Sequence, residues 1–352
     1  MQKLPLPIFP LKTWFAQFKR DLPWRRDPTP YAVWISEVML QQTQVAVVID
    51  YFKRWMERFP TIEHLAAASL EEVIKTWEGL GYYSRARSLH RAAQYLVQRH
   101  AGTLPATSEF LRQIPGIGPY TTGAILSFAF RQKAAAVDGN VIRVLARFAA
   151  VEEEVESSRF KKWVWDYAQS LLPDEEPWLV VEGLIELGAT VCTRQPKCPQ
   201  CPLSSHCLGL KKGIADLLPI KRKKIEVTPL YRQVTVVQAG EFYLLRKGKK
   251  GSLMADLYEF PYFEGVEQDQ VSGLLSELFK LSAAFVDALS PVQHHFTRYR
   301  ALLFPSLWKV PEPIEVEDHH WIDRFSLKQL PFSSGHKKIL NLLDSRYANL
   351  TY

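Results

Sequence analysis

All four cysteines of the 352-residue chain fall in one short segment, at Cys192, Cys198, Cys201 and Cys207. A disulfide framework would spread cysteines along the chain to close long loops. Thiols this concentrated read instead as ligands of one metal centre. Structural zinc sites commonly show two short cysteine pairs separated by a longer insert. Here one short pair, Cys198 and Cys201, is flanked by two medium loops. That arrangement suits a [4Fe–4S] cluster, with zinc as the alternative.

Two carboxylates have the surroundings for acid–base work. Glu37 lies in a helical pattern with Val33, Trp34 and Leu40 one turn away. Such neighbours would desolvate it, raise its pKa and keep a proton available; the plain alternative is a surface glutamate on an amphipathic helix. Asp138 opens the run Asp138-Gly139-Asn140-Val141 and reads as an N-cap for the helix that follows. A capping aspartate accepts backbone N–H bonds, stays ionised and is held rigidly, which suits a group facing a developing cation. Carboxylates in unlike environments can divide the two demands of glycosidic cleavage, protonating the leaving group and stabilising the sugar cation.

A third feature is the turn Ile114-Pro115-Gly116-Ile117-Gly118-Pro119-Tyr120. Gly116 and Gly118 allow positive φ and a close backbone approach, and N–H groups at the start of the next helix can bind a phosphate. Alone, a Gly-x-Gly is more often a generic tight turn. The net charge of +7 favours a polyanionic partner, and no Lys/Arg-rich amphipathic membrane anchor is present.

The elements that must position these groups are helical up to about Cys207. Tyr31–Leu40, Gln44–Phe59, Leu70–Trp77, Arg85–Arg99 and Phe160–Leu172 carry apolar residues at helical spacing, and Pro115, Pro119, Pro173 and Pro177 mark boundaries. Lys211-Lys212 and Lys221-Arg222-Lys223-Lys224 make a basic stretch that reads as an uncored linker. Beyond Pro229, Gln233–Val237 and Glu241–Leu245 predict a hairpin about Ala239-Gly240. Gln270–Lys280 and Ser334–Leu343 predict helices, and Thr297–Phe304 a strand. The fold class expected is multidomain: an all-α region followed by an α+β domain. No segment is apolar for long enough to span a bilayer, and Met1–Pro5 lacks a secretory core. A soluble cytoplasmic protein is expected.

These residues together resemble the adenine DNA glycosylases of the MutY family, within the helix-hairpin-helix glycosylase superfamily. The resemblance rests on Leu22-Pro23-Trp24-Arg25, the run from Ser36 through Glu37 to Val45, Gly79-Leu80-Gly81-Tyr82-Tyr83-Ser84-Arg85, the hairpin, Asp138-Gly139-Asn140-Val141, Leu187-Gly188-Ala189 and the cysteines. It implies an all-α catalytic region over 1–208, with a six-helix lobe at about 22–132 and a cluster lobe from 1–21 and 133–208. It further implies a basic linker at 209–228 and a Nudix-like lesion-recognition domain at 229–352. The implied activity is removal of adenine mispaired with 8-oxoguanine or guanine from double-stranded DNA, by a monomeric, nucleoid-associated bacterial enzyme holding a [4Fe–4S] cluster.

By the same resemblance Glu37 protonates the departing adenine, Asp138 stabilises or traps the sugar cation, and Tyr120 and Asn140 support the sugar side. Trp24, Arg25 and Glu182 fall at adenine-pocket positions. Gln42 and Tyr82 fall where side chains wedge into the base stack, and Leu40 and Thr43 lie near the orphaned lesion. Gly116 and Gly118 hold the DNA backbone. Tyr120 stands where lyase relatives such as endonuclease III place a Schiff-base lysine, so little strand cleavage is expected. The helix after Gly251–Pro261 lacks the acidic array of hydrolytic Nudix enzymes, which implies recognition rather than hydrolysis. The chain departs from the family twice. Its first cysteine loop is one residue shorter, and it reads Phe296-Thr297-Arg298 where bacterial relatives carry Phe-Ser-His, with Thr297 keeping the hydroxyl. The linker, lacking Cys and His, is expected to hold no zinc. An endonuclease III-like enzyme for oxidised pyrimidines, or a non-catalytic iron–sulfur DNA-binding protein, are the alternatives.

Overall fold

The computed structural model describes residues 1–221, 227–249, 251–252, 254–280, 282–296 and 298–347. The helices of the first 211 residues are α1 (Ile8–Phe18), α2 (Pro23–Arg26), α3 (Pro30–Leu40), α4 (Val45–Arg58), α5 (Ile62–Ala67), α6 (Leu70–Thr76), α7 (Ser84–His100), α8 (Ser108–Leu111), α9 (Pro119–Ala124), α10 (Gly139–Phe148), α11 (Ser158–Ser170), α12 (Pro177–Thr190) and α13 (Leu208–Lys211). Their starts follow local chemistry. Thr29, Ser157 and Asp138 cap α3, α11 and α10 by accepting backbone N–H bonds, and Pro30, Pro119 and Pro177 occupy first-turn positions whose N–H would lack a partner.

The chain divides into two compact units that do not follow chain order. The first holds Met1–Ala67 and Ser88–Lys224; the second holds Ala68–Arg87 and Ile225–Tyr352. Within the first unit, α3 is buried on every side from Tyr31 to Met39, so it is a core helix and not the amphipathic surface helix that was one reading of its sequence. α12 packs against α1 and α10 and is buried along most of its length. The small residues after the hairpin let backbones meet. A Cβ on Gly123 would lie 1.9 Å from the Ala135 carbonyl oxygen.

The basic stretch after the cysteines is not uncored, contrary to the sequence reading. Gly209, Ala215 and Leu218 are buried, the Leu218 carbonyl accepts from Arg147 at 2.9 Å, and the Ile220 carbonyl accepts from the Val155 N–H at 3.0 Å. Charge density along the chain hid these spaced apolar anchors. Arg222, Lys223 and Lys224 lie outside the described residues.

The second unit is built on β1 (Thr228–Ala239), β2 (Phe242–Lys247), β3 (Tyr258–Glu259), β4 (Tyr262–Glu264), β5 (Ala284–Ala288), β6 (Val292–Phe296), β7 (Tyr299–Lys309) and β8 (His319–Asp323), with helices α14 (Val271–Phe279), α15 (Arg324–Leu327) and α16 (Ser334–Tyr347). Among the described residues the strands form one sheet with the central order β3-β2-β1-β7-β5. β1 and β7 run parallel from Thr228↔Tyr299 to Gln238↔Lys309, while the other pairs are antiparallel. Alternation sends Val234 and Val236 to a core with Leu303 and Ile339 of α16, and Val237 to another with Val271 and Leu275 of α14. Both faces are therefore covered, an α/β layering in place of the segregated α+β arrangement expected, because a parallel pair buried at the centre needs cover on each side. The segment Ala68–Arg87 joins this unit through specific bonds: Lys75 to the Leu330 carbonyl at 2.8 Å, the Phe332 N–H to Glu78 at 2.9 Å, and Arg87 to the Ala255 carbonyl at 2.9 Å. No helix among the described residues is long and apolar enough to cross a membrane.

Gly123→Ala is expected to destabilise the first unit by about 1–3 kcal/mol, because backbone must shift to admit the methyl group. The check is a lowered denaturation midpoint with helical content retained; an unchanged midpoint would show that α9 has room.

Candidate active site and cysteine centre

In the first unit, side chains from α2, α3, α9, α10, α12 and the turn after α3 surround a cavity of about 630 Å³. Its lining includes Trp24, Arg25, Glu37, Leu40, Gln42, Thr43, Tyr120, Asp138, Asn140 and Glu182, so residues far apart in sequence are brought to one place. Glu37 is buried at the α3 wall. Burial above all raises its pKa, to about 7, and the nearby Asp138 pushes the same way against the Tyr120 hydrogen bond. The Tyr120 hydroxyl donates to Glu37 Oε2 at 2.5 Å, and burial beside this carboxylate lifts the phenol well above its ordinary range. Tyr120 thus stays a neutral donor, and Glu37 Oε1 is the oxygen left to carry a transferable proton.

Asp138 is held differently. Its Oδ1 accepts from the Asn140 and Val141 N–H groups at 2.9 and 2.8 Å, and its Oδ2 from Asn140 Nδ2 at 2.6 Å. These bonds favour the carboxylate, but burial outweighs them and the net shift is upward. The expectation that capping simply keeps Asp138 ionised therefore omits the larger force, its desolvation by the cavity wall. Arg143 continues the chain of contacts, donating to Asn140 Oδ1, the Gly188 carbonyl and the Cys192 carbonyl, each at 2.7 Å.

The far wall is ionic. Arg25 donates to Glu182 at 3.1 Å and to Glu186 at 2.9 Å, and Arg20 grips the same Glu186 through Nε at 2.6 Å. Glu186 is fully buried, and the two guanidiniums overcome its desolvation to leave its pKa lowered. Among the described residues Glu182 has only Arg25 as a hydrogen-bonded partner, and burial wins, so its pKa is raised. Arg131 stacks over Trp178 with its centre 4.8 Å from the ring, and both line the cavity. Sequence reasoning missed Arg20, Glu186, Arg131 and Trp178. Glu186 had one legible signal, its place one turn after Glu182 on the same helix.

Several expected site residues lie elsewhere. In the hairpin only Gly116 has positive φ, at 83°; Gly118 is extended and caps α9 with φ −94° and ψ −179°. A Cβ at Gly118 would meet nothing within 4 Å, so neither backbone angle nor space in this structure requires glycine there. Tyr82 belongs to the second unit, exposed and at φ 49°. Thr297 lies outside the described residues. Its neighbour Arg298 is turned onto Tyr299, 3.1 Å from the hydroxyl.

The four cysteines are free thiols that line a small cavity of the first unit together with Arg147. Burial pushes Cys201 up to about 12, and Cys192, Cys198 and Cys207 add to this through their charges. Four thiols sharing one cavity are a donor set that suits a thiophilic metal centre. Among the described residues no three His, Cys, Asp or Glu side chains converge closely enough for a single metal ion.

Comparisons with known proteins agree with this layout. The profile of the HhH-GPD superfamily of base excision DNA repair proteins matches residues 35–167, and that of the NUDIX domain matches 233–342. The adenine DNA glycosylase of Rattus norvegicus is 40% identical over 95% of this chain and 77% of its own length. That of Buchnera aphidicola subsp. Acyrthosiphon pisum is 30% identical over 94% of this chain and 90% of its own. Among solved structures, a thermostable thymine-DNA glycosylase superposes with a TM-score of 0.53 at 27% identity, covering 58% of this chain and 95% of its own. Endonuclease III in a trapped covalent intermediate with DNA gives 0.50 at 27% identity, covering 58% and 96%. Sequence similarity over nearly the whole chain and the order of the two domains lead to one conclusion: this chain belongs to the adenine DNA glycosylase family.

Proposed function

We propose that this enzyme hydrolyses the N-glycosidic bond of adenine mispaired with 8-oxoguanine or guanine in duplex DNA, on an adenine flipped into the 630 Å³ cavity. The observation that carries the reading is the pair of carboxylates in that cavity, Glu37 buried with a pKa near 7 and Asp138 held by three N–H donors. Glu37 gives its proton to the leaving base, with Tyr120 bonded to the other carboxylate oxygen to fix the orientation. Asp138 faces the sugar, and the forming cation offsets the desolvation that otherwise raises its pKa. Asn140 holds Asp138 in place. Trp24, Arg25 and Glu182 supply the aromatic and polar wall for the base; Leu40 at the end of α3, with Gln42 and Thr43 on the turn after it, contacts the disrupted base pair. Gly116 and Gly118 hold a phosphate, and Tyr82 wedges the stack. Tyr120 offers no amine for a Schiff base, so strand cleavage stays weak without alkali.

The domains take the roles the resemblance implies: catalysis in residues 1–208, a connection at 209–228, and lesion recognition in 229–352. α14, with the sequence VSGLLSELF, carries a single carboxylate, too few for a hydrolytic Nudix metal site. By the resemblance, Thr297 serves the 8-oxoguanine side, and Arg298 changes the neighbouring contact. The enzyme acts as a monomer in the cytoplasm, on the nucleoid.

The cysteine centre fits a [4Fe–4S] cluster better than zinc. What supports this reading is the spacing, one short pair flanked by two medium loops, with all four thiols lining one cavity and the buried guanidinium of Arg147 3.3 Å from Cys192 Sγ. When bound, the cluster supplies a rigid staple of four thiolates. Cys192, Cys198, Cys201 and Cys207 would hold it, fixing the end of α12 against α10.

The decisive assay uses duplexes with A opposite 8-oxoguanine, A opposite G, or an oxidised pyrimidine, each read with and without alkali. Adenine release from the first two, with strand breaks only after alkali, is expected; no release from either mispair would refute the reading. Asp138→Asn is expected to abolish release with folding intact, and Glu37→Gln to slow it by about 10²–10⁴-fold, the usual worth of general acid catalysis. The pH dependence has a definite sign. Because the protonated form of Glu37 is the acid and its pKa is raised to about 7, the single-turnover rate should fall as pH rises through about 7. Glu37→Gln should lose that limb, and a rate that climbs through this range would oppose the assignment. About four iron atoms per chain in the purified protein would support the cluster, whereas stoichiometric zinc would replace it.

A further inference from the structure

We infer that Arg147 is the counter-cation and sulfur hydrogen-bond donor of the cysteine centre, a positioning residue that folds the shortened first cysteine loop and sets the redox poise of the cluster. The inference rests on the reading of the four cysteines as ligands of a [4Fe–4S] cluster.

Arg147 sits near the end of α10 and is 2% exposed. Its Nε donates to the Leu218 carbonyl at 2.9 Å, and one terminal nitrogen donates to the Thr193 carbonyl at 2.6 Å. The same nitrogen lies 3.4 Å from the Cys192 carbonyl and 3.3 Å from Cys192 Sγ, and the other terminal nitrogen donates to the Arg194 carbonyl at 3.2 Å. The loop between the first two cysteines is thus folded around the guanidinium. The segment after the last cysteine returns to the same residue, at its backbone. It passes so close that a Cβ on Gly209 would lie 2.4 Å from the Arg147 carbonyl oxygen.

Every oxygen accepting from this buried cation is a neutral carbonyl, and no carboxylate among the described residues forms an ion pair with it. A desolvated charge without a counter-charge is strongly unfavourable. Arg143 makes the deficit larger, because its guanidinium also reaches the Cys192 carbonyl, at 2.7 Å. Sulfur is the remaining acceptor on Arg147, and a cluster with four thiolate ligands carries the net negative charge that is missing. A cation and an N–H donor beside a ligand sulfur stabilise the more negative, reduced member of any cluster couple. Such contacts are established determinants of cluster potential. Removing Arg147 should therefore lower the potential and loosen the loop.

The test compares wild type with Arg147→Met and Arg147→Lys, purified in parallel. Iron content, rate of iron loss in air with a chelator, and cluster potential by voltammetry on a DNA-coated electrode are measured, with circular dichroism as the folding control. Arg147→Met is expected to lose iron several-fold faster than wild type and to shift the potential downward. Arg147→Lys, which keeps the charge but not the fork of donors, should lose iron faster while shifting the potential less. If Arg147→Met does not fold, Arg147→Lys carries the test through its iron-loss rate. Iron loss and potential unchanged in the folded variants would overturn the role of Arg147 while leaving the cluster in place. A wild type without iron would overturn the cofactor reading on which the inference rests.

Discussion

The site is organised by one local interaction, the capping of α10 by Asp138. Two backbone N–H groups that a helix start leaves unpaired are satisfied by the carboxylate proposed to face the sugar. The carboxylate therefore cannot rotate away without unmaking the helix end. The same helix then carries Arg143 and Arg147 toward the cysteine segment. A displacement of the cysteine loop would bear on the helix whose start Asp138 caps. Asp138 and the cysteine segment are in this sense tied to one helix.

The cavity depends equally on charges removed from water. Glu186 is fully buried and would be untenable alone, but Arg20 and Arg25 pair with it at hydrogen-bonding distance. Such a network contributes little to stability, since desolvation offsets much of the attraction. Its value is geometric: Arg25, held by Glu186, presents its remaining edge to Glu182. Glu37, with no cation in direct contact among the described residues, is left with a high pKa. Burial thus acts on both carboxylates, and the presence or absence of a paired guanidinium sets the direction of the shift.

The second unit follows a different logic. Its strands β1, β2 and β7 are marked by short apolar runs, and in β1 Val236 and Val237 send side chains to two different cores. The inclusion of Ala68–Arg87 in that unit has no such local signature. It is made by bonds such as Phe332 to Glu78 and Lys75 to Leu330, between residues hundreds of positions apart in the chain.

The types and order of the chemical groups were legible in the chain itself. Clustered thiols, a capping aspartate, a glutamate among apolar neighbours and a Gly-x-Gly turn are local patterns, and local patterns follow from backbone and side-chain preferences over a few residues. The main helix spans were legible for the same reason. What only the tertiary structure decided is what desolvation and long-range contact decide. Asp138 is pushed toward the neutral form despite its cap, Gly118 is extended, and the basic stretch after Cys207 is anchored by Leu218. Arg20, Glu186 and Arg147 become partners of the site. Each of these outcomes depends on which groups share a low-dielectric volume, and that is set by the packing of helices distant in sequence.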